Sequence, residues 1–265
     1  MIKRTVSTFG LALVACLHGQ TLLAVQHCGA QDFKGTYGIV AHGAVTVPGF
    51  PITGPFARAG QVIADGNGKL VFNTTASYNG FLFEESIYAT YVVSPDCGMV
   101  FTVEPFAPIF QNATFRALLS DNKRQVNFMI TEPLGQTISA VLKKQDAGFC
   151  TEKDLAGSYD LHLTGNIVTP PAGLLPGQFV RVGRFVPDGN GHFSATTNAN
   201  YNGFLIRAEE LSGTYTMAAN CTVRMLYTYE NVPYIWNGAL TDNSKGVDLV
   251  VANDGFAISG ELTQQ

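Results

Sequence analysis

The sequence predicts an all-β protein: two tandem homologous antiparallel meander domains, each closing as an eight-stranded up-and-down barrel. Three observations predict it. The composition is poor in charge and rich in aromatic residues and glycine, the chain repeats itself after 122 residues, and turn signals recur with no long amphipathic helix between them. Of 265 residues 46% are hydrophobic and only 14% charged, with 18 Phe, 10 Tyr and 28 Gly. Soluble globular chains usually carry about 25% charge. Aromatic residues favour strands and glycine favours turns. The net charge of −4 leaves no basic footprint, which argues against a nucleic-acid partner. High apolar content with low net charge also argues against disorder.

Residues 1–27 read as an export signal. Lys3 and Arg4 form a basic start, and no further charged residue occurs before Asp32. The apolar stretch Phe9–Leu17 is too short for a membrane span and is interrupted by His18-Gly19-Gln20. Two outcomes stay open. Leu13-Val14-Ala15-Cys16 fits a lipobox, which would make Cys16 a lipidated N-terminus; ordinary cleavage between Gly19 and Gln26 would discard it. Either way the mature chain is expected outside the cytoplasm, secreted or periplasmic, with no membrane span and with or without a lipid anchor.

The repeat defines the domains. Cys28, Asp32 and Gly35-Thr36-Tyr37 return as Cys150, Asp154 and Gly157-Ser158-Tyr159. Asp65-Gly66-Asn67-Gly68 returns as Asp188-Gly189-Asn190-Gly191, and Tyr78-Asn79-Gly80-Phe81-Leu82 as Tyr201-Asn202-Gly203-Phe204-Leu205. Thr90-Tyr91 ahead of Cys97 matches Thr214-Tyr215 ahead of Cys221, and Asp121-Asn122 matches Asp242-Asn243. The expected domains are 28–145 and 150–265, joined by a linker at 146–149. Equivalent cysteines favour the intradomain disulfides Cys28–Cys97 and Cys150–Cys221; metal ligation is the alternative, without a Cys-x-x-Cys to support it.

Asp-Gly, Asn-Gly and Asp-Asn steps divide each copy into about eight short strands, because such residues accept the positive φ of tight hairpins. An open meander of this length would expose its edges, and closure removes them. A β-sandwich is the alternative architecture. Asp65-Gly66-Asn67-Gly68 also has a partial likeness to a calcium loop, but lacks alternate oxygen ligands and a closing Glu.

A cysteine shortly before Gly35-Thr36-Tyr37 or Gly157-Ser158-Tyr159, with Gly213-Thr214-Tyr215 in a later strand, resembles the calycin barrels (avidins and lipocalins). The layout also resembles the allene-oxide-cyclase-like barrels, and secreted bacterial barrel proteins with an Asp-Gly-Asn-Gly turn and a downstream Thr-Tyr…Cys. The resemblance implies a barrel with a ligand cavity or a cyclase-type site. It carries over no ligand residues: the calycin Gly-x-Trp is absent here, and the single tryptophan, Trp236, falls in a different strand.

Arg58 and Arg181 occupy matching positions in Phe56-Ala57-Arg58-Ala59-Gly60 and Phe179-Val180-Arg181-Val182-Gly183. Strand alternation puts Phe and Arg on one face, so an inward Phe brings an inward Arg that needs a partner. Glu84 or Glu85, with Tyr78, is available in the first copy; Glu209 or Glu210, with Tyr201, in the second. Such a group would anchor the polar end of a ligand or supply a general acid; the alternatives are an outward Arg with a solvated carboxylate, or a purely structural ion pair. The uncharged, proline-rich loops carrying Phe50 and Ile52, and Leu174 and Leu175, are candidate lids; alternatively they cap the barrel ends or join the copies. No Gly-x-Ser-x-Gly, His-Glu-x-x-His or phosphate loop occurs, and the five histidines form no ligand pattern, so no metal, cofactor or catalytic residue is expected. The leading expectation is an exported binding protein holding a small apolar or amphipathic molecule in a barrel cavity. The alternatives are a structural or surface-interaction protein with solid barrels, and a cyclase- or isomerase-type barrel enzyme.

Overall fold

The computed structural model describes residues 27–46, 52–105, 112–120, 122–146, 148–170, 175–242 and 245–265. The export signal with Cys16, and the loop residues Phe50 and Leu174, lie outside the described residues. The fold is two closed eight-stranded antiparallel barrels in tandem. The first runs β1 (Lys34–Val45), β2 (Gly54–Asp65), β3 (Lys69–Tyr78), β4 (Phe81–Val93), β5 (Gly98–Val103), β6 (Ala113–Ser120), β7 (Gln125–Glu132) and β8 (Ser139–Gln145). The second repeats it as β9 (Tyr159–Ile167), β10 (Gly177–Pro187), β11 (His192–Tyr201), β12 (Phe204–Met217), β13 (Thr222–Tyr229), β14 (Val232–Thr241), β15 (Gly246–Val251) and β16 (Phe256–Gln264). In each, sequential neighbours pair and the last strand returns to the first, with Gln145 opposite Thr36 and Gln264 opposite Tyr159. Closure leaves no edge strand, so the sandwich alternative is not adopted.

The turns follow from their residues. Asn79-Gly80 (φ 51° and 83°) and Asn202-Gly203 (φ 49° and 95°) join β3 to β4 and β11 to β12 as two-residue hairpins with both φ values positive. In the Asp-Gly-Asn-Gly turns the aspartate is occupied locally. Asp65 Oδ1 accepts from the N–H of Asn67 at 2.6 Å and of Lys69 at 3.0 Å. Asp188 Oδ1 does the same with Asn190 at 2.7 Å and His192 at 3.0 Å. These are turn-forming aspartates rather than calcium ligands.

The shift between the copies changes along the chain, and one of its changes has a visible structural cause. Tyr78 to Tyr201 is a shift of 201 − 78 = 123, whereas Thr90 to Thr214 is 214 − 90 = 124. The extra residue is a β-bulge between β11 and β12, where the register jumps between Thr197 and Ala199 and Ala208 adopts φ 49°.

One end of each barrel is closed by a 3-10 turn, Ala30–Phe33 in the first and Glu152–Leu155 in the second. Phe33 and Leu155 are fully buried as plugs. The Tyr91 hydroxyl donates to the Phe33 carbonyl at 3.2 Å, and that of Tyr215 to the Glu152 carbonyl at 2.9 Å. The disulfides Cys28–Cys97 and Cys150–Cys221 tie these plugs to the β4–β5 and β12–β13 turns. Two disulfides belong to an oxidising, extracytoplasmic setting. No helix among the described residues is long and apolar enough to cross a membrane.

The barrels lie side by side, with β1, β2 and β8 packed on β14, β15 and β16. Small residues let the sheets approach: Ala57 and Ala59 meet Val250 and Ala257. Near the hairpin end, Gly255 N–H donates to the Gly80 carbonyl at 2.8 Å. Near the plugged end, Gln61 Nε2 donates to the Asn220 carbonyl and Gln145 Nε2 to the Leu240 carbonyl, both at 2.6 Å. Between them, Ser77 Oγ donates to the Phe256 carbonyl at 2.6 Å and Lys143 Nζ pairs with Glu261 Oε2 at 2.6 Å. This docking explains a difference between otherwise equivalent strands. In β7 buried and exposed residues alternate, whereas all six residues of β15 are buried, one face against its own core and the other against the first barrel.

Gly165 marks a point where backbones cross closely. A Cβ there would fall 2.1 Å from the Ala257 carbonyl oxygen, on a residue with φ 155°. Gly165→Ala is therefore expected to cost about 2 kcal/mol or more, read as a lowered urea midpoint. Gly29→Ala, with open space around the position, leaves the midpoint unchanged.

Candidate functional site

Strand alternation does turn both arginines inward. Arg58 on β2 donates from Nη2 to the Tyr78 hydroxyl at 2.7 Å and pairs with Glu85 Oε2 at 2.5 Å. Arg181 on β10 donates from Nη2 to the Tyr201 hydroxyl and to Glu209 Oε2, both at 2.7 Å. Its Nη1 reaches a third partner, the Tyr227 hydroxyl, at 3.0 Å, and Thr197 Oγ1 donates to Glu209 at 3.1 Å. Each guanidinium lies over the phenylalanine two residues before it, at 5.2 Å for Phe56 and 5.5 Å for Phe179. Burial drives the Tyr78 and Tyr201 phenols above their ordinary range, so both stay protonated. Arg58 Nε, Glu85 Oε1, Arg181 Nε and Glu209 Oε1 are buried without a hydrogen-bond partner. Of the carboxylates the sequence offers, Glu85 and Glu209 are therefore the partners. Glu84 and Glu210 alternate to the outside and are exposed; Glu210 accepts from Thr196 Oγ1 at 3.0 Å.

The space beside Arg58 is small. In the first barrel the cavity next to Arg58, lined by Phe56, Phe72, Tyr78, Val103 and Phe128 among others, holds about 30 Å³. That is room for one or two waters, whereas small-molecule pockets span roughly 300–1,000 Å³. Strand register explains the void. Phe101 is opposite Tyr91 as Met225 is opposite Tyr215, so Val103 stands where the second barrel has Tyr227. In the second barrel Phe185, Phe193, Trp236 and Tyr227 pack ring against ring, with Tyr234 stacked on Tyr227 at 5.1 Å. In the first barrel aromatic side chains and the Arg58 cluster surround that small cavity.

Two of the four candidate lid residues, Ile52 and Leu175, are among the described residues. Ile52 is half-buried against the first core, and Leu175 is 69% exposed.

Three larger spaces lie outside the barrel interiors: an apolar surface hollow of about 500 Å³ on the first barrel, around Leu118, Met129 and Val141, and two grooves between the barrels. One groove of about 490 Å³ runs between β3–β4 of the first barrel and β13–β14 of the second. Asn237 sits in its wall, donating from Nδ2 to Thr75 Oγ1 at 3.0 Å while its buried Oδ1 has no partner. Asn73 and Ser86, linked at 2.9 Å, and Glu84 line the first-barrel side; Thr222 and Arg224 line the other. Glu84 and Arg224 are exposed and form no ion pair among the described residues. A second groove of about 580 Å³, with His42, Asn166, Gln178 and Asn200 in its walls, opens on the opposite side of the contact. Sequence reasoning missed both grooves, because neither exists until the barrels dock. No protein-family model matches the chain, and no curated protein matches it.

Proposed function

We propose that the chain is an exported binding protein whose two barrels are solid scaffolds, and that it recognises a small polar ligand in the Asn237 groove. The observation that carries this reading is the contrast in space and chemistry: about 30 Å³ inside the first barrel against about 490 Å³ of polar-lined groove. The groove offers an unpaired buried acceptor in Asn237 Oδ1, with free charges of opposite sign in Glu84 and Arg224. A ligand that donates to Asn237 and presents an anionic or hydroxyl group to Arg224 satisfies what the fold leaves unpaired. The calycin resemblance then extends to architecture and not to a ligand cavity. The Arg–Glu–Tyr clusters act as structural ion pairs: their phenols are held protonated and each guanidinium is neutralised by a buried carboxylate.

Native mass spectrometry of the mature protein from its own host tests this reading. A polar molecule released on denaturation, and lost from Asn237→Leu and Arg224→Ala without loss of folding, is the expected result. Loss of one good hydrogen-bonded contact should weaken binding about tenfold or more. A long-chain apolar molecule, retained by both variants, would overturn it. The same spectrum reads the N-terminus: a diacylglycerol adduct on Cys16 marks an anchored lipoprotein, and a start after Gly19 a freely secreted one.

A further inference from the structure

The barrel contact contains a carboxyl group with nothing to satisfy it. Asp248 is fully buried at the centre of β15, and neither of its carboxyl oxygens has a hydrogen-bond partner. Its neighbours Val247 and Leu249 point into the second core, so Asp248 points at the first barrel. There it faces Gly38 of β1: a Cβ at that glycine would lie 3.3 Å from Asp248 Oδ2. The neighbouring hydroxyl, Thr241 Oγ1, is also buried and unpartnered.

The charged groups around it are few. From β8 comes Lys143, whose ammonium is already paired with Glu261 of β16 at 2.6 Å. Glu261 itself, opposite Asp248 in the register, and Asp242 in the β14–β15 turn supply two further negative charges. β1 contributes no charge at Gly38, and Gln61 and Gln145 nearby are neutral and hydrogen-bonded to backbone carbonyls. An ionised Asp248 in this spot would be a third carboxylate, with one shared cation against two other anions, and cut off from water.

We propose that Asp248 is an acid-held latch: neutral, it lets the barrels close on one another, and ionised, it loosens the contact whose flanks form the binding groove. Burial, reinforced by Glu261 and Asp242 and opposed by Lys143, pushes this carboxyl up to about 7. The sign follows from linkage. The folded carboxyl holds its proton more tightly than the unfolded one, near 3.8, so the stability from Asp248 is fully present below about pH 4, falls as pH rises, and is lost above about pH 7. The ionised carboxylate regains hydration by letting water into the contact, and this widens the groove without unfolding either barrel. Only the effect on ligand binding rests on the groove being the binding site.

The test uses the full chain without ligand. Nitroxide labels at Val92→Cys and Leu226→Cys, exposed positions on different barrels, report the separation by double electron–electron resonance. The wild type should give a narrow distance at about pH 5.5 and a broader, longer one at about pH 8.5, while Asp248→Asn stays narrow at both. Thermal melts should show Asp248→Asn gaining on the wild type from about pH 4 to about pH 7, with a constant gap above. A wild-type distance unchanged with pH, or a variant that opens like the wild type, would overturn the latch. Should Asp248→Asn fail to fold, carbon NMR titration of labelled aspartate in the wild type still decides. A midpoint near 7 supports the latch, and one near the ordinary 3.9 defeats it. Absence of binding at acid pH with these distances as expected would count against the groove and leave the latch standing.

Discussion

Replacing Arg181 with methionine is expected to lower stability by about 3–5 kcal/mol, because it leaves Glu209 buried as an uncompensated charge. The side chains of Arg181 and Glu209 are 4% and 2% exposed, so water cannot take over from the lost guanidinium. Tyr201, Tyr227 and Thr197 are left around a carboxylate that only Thr197 still donates to in the same geometry. For a chain of this size the melting temperature should fall by about 10 °C or more. Arg181→Met combined with Glu209→Leu should recover most of that loss, since removing both charges removes the unpaired one. The double variant separates a structural pair from a ligand anchor. Groove binding should survive in it, whereas a ligand held inside the barrel would be lost.

Removing the second disulfide, with Cys150→Ser and Cys221→Ser together, is expected to cost about 4 kcal/mol on the chain-entropy estimate for a loop of this length. The bridge spans 71 residues and fastens the Leu155 plug to the β12–β13 turn. Its loss frees the 3-10 turn and the Tyr215–Glu152 bond together. Equilibrium urea unfolding measures it as a lower midpoint. The equivalent pair Cys28→Ser and Cys97→Ser, across 69 residues, should behave alike. An unchanged midpoint for either would mean that the plug is held by packing alone.

Much of this architecture is legible in the sequence because its determinants are local. Asn79-Gly80 and Asn202-Gly203 demand positive φ at two successive residues, and the structure uses them for that. The matched cysteines pair within each copy as the repeat suggests. Two-residue alternation from Phe56 and Phe179 puts both arginines inside. The choice of carboxylate was also within reach: past the bulge, the shift of 124 aligns Glu85 with Glu209 but Glu84 with Ala208. The Glu230-Asn231 hairpin, both residues at positive φ, carries no glycine and so gives a weaker turn signal.

What the sequence hides is non-local. Val103 beside Arg58 decides whether the first barrel is filled as the second is, and only the register reveals that it stands in place of Tyr227. The grooves depend on which strands dock. One clue to docking was present: β15, Gly246-Val247-Asp248-Leu249-Val250-Val251, is an apolar run interrupted by a lone aspartate. A strand that is apolar on both faces has to be covered on both.

The most direct test of solid barrels with a groove between them is proton–nitrogen NMR of the labelled full chain, titrated at about pH 5.5, below the latch transition. The probes are a set of small polar compounds (amino acids, monosaccharides and hydroxy acids) and, separately, palmitate. A polar probe should shift the amides of Thr75, Arg224 and Asn237, with palmitate leaving Ile39, Phe72 and Phe128 unmoved. Saturable palmitate shifts at Ile39, Phe72 and Phe128, with the groove amides silent, would contradict the account and return the ligand to the barrel interior.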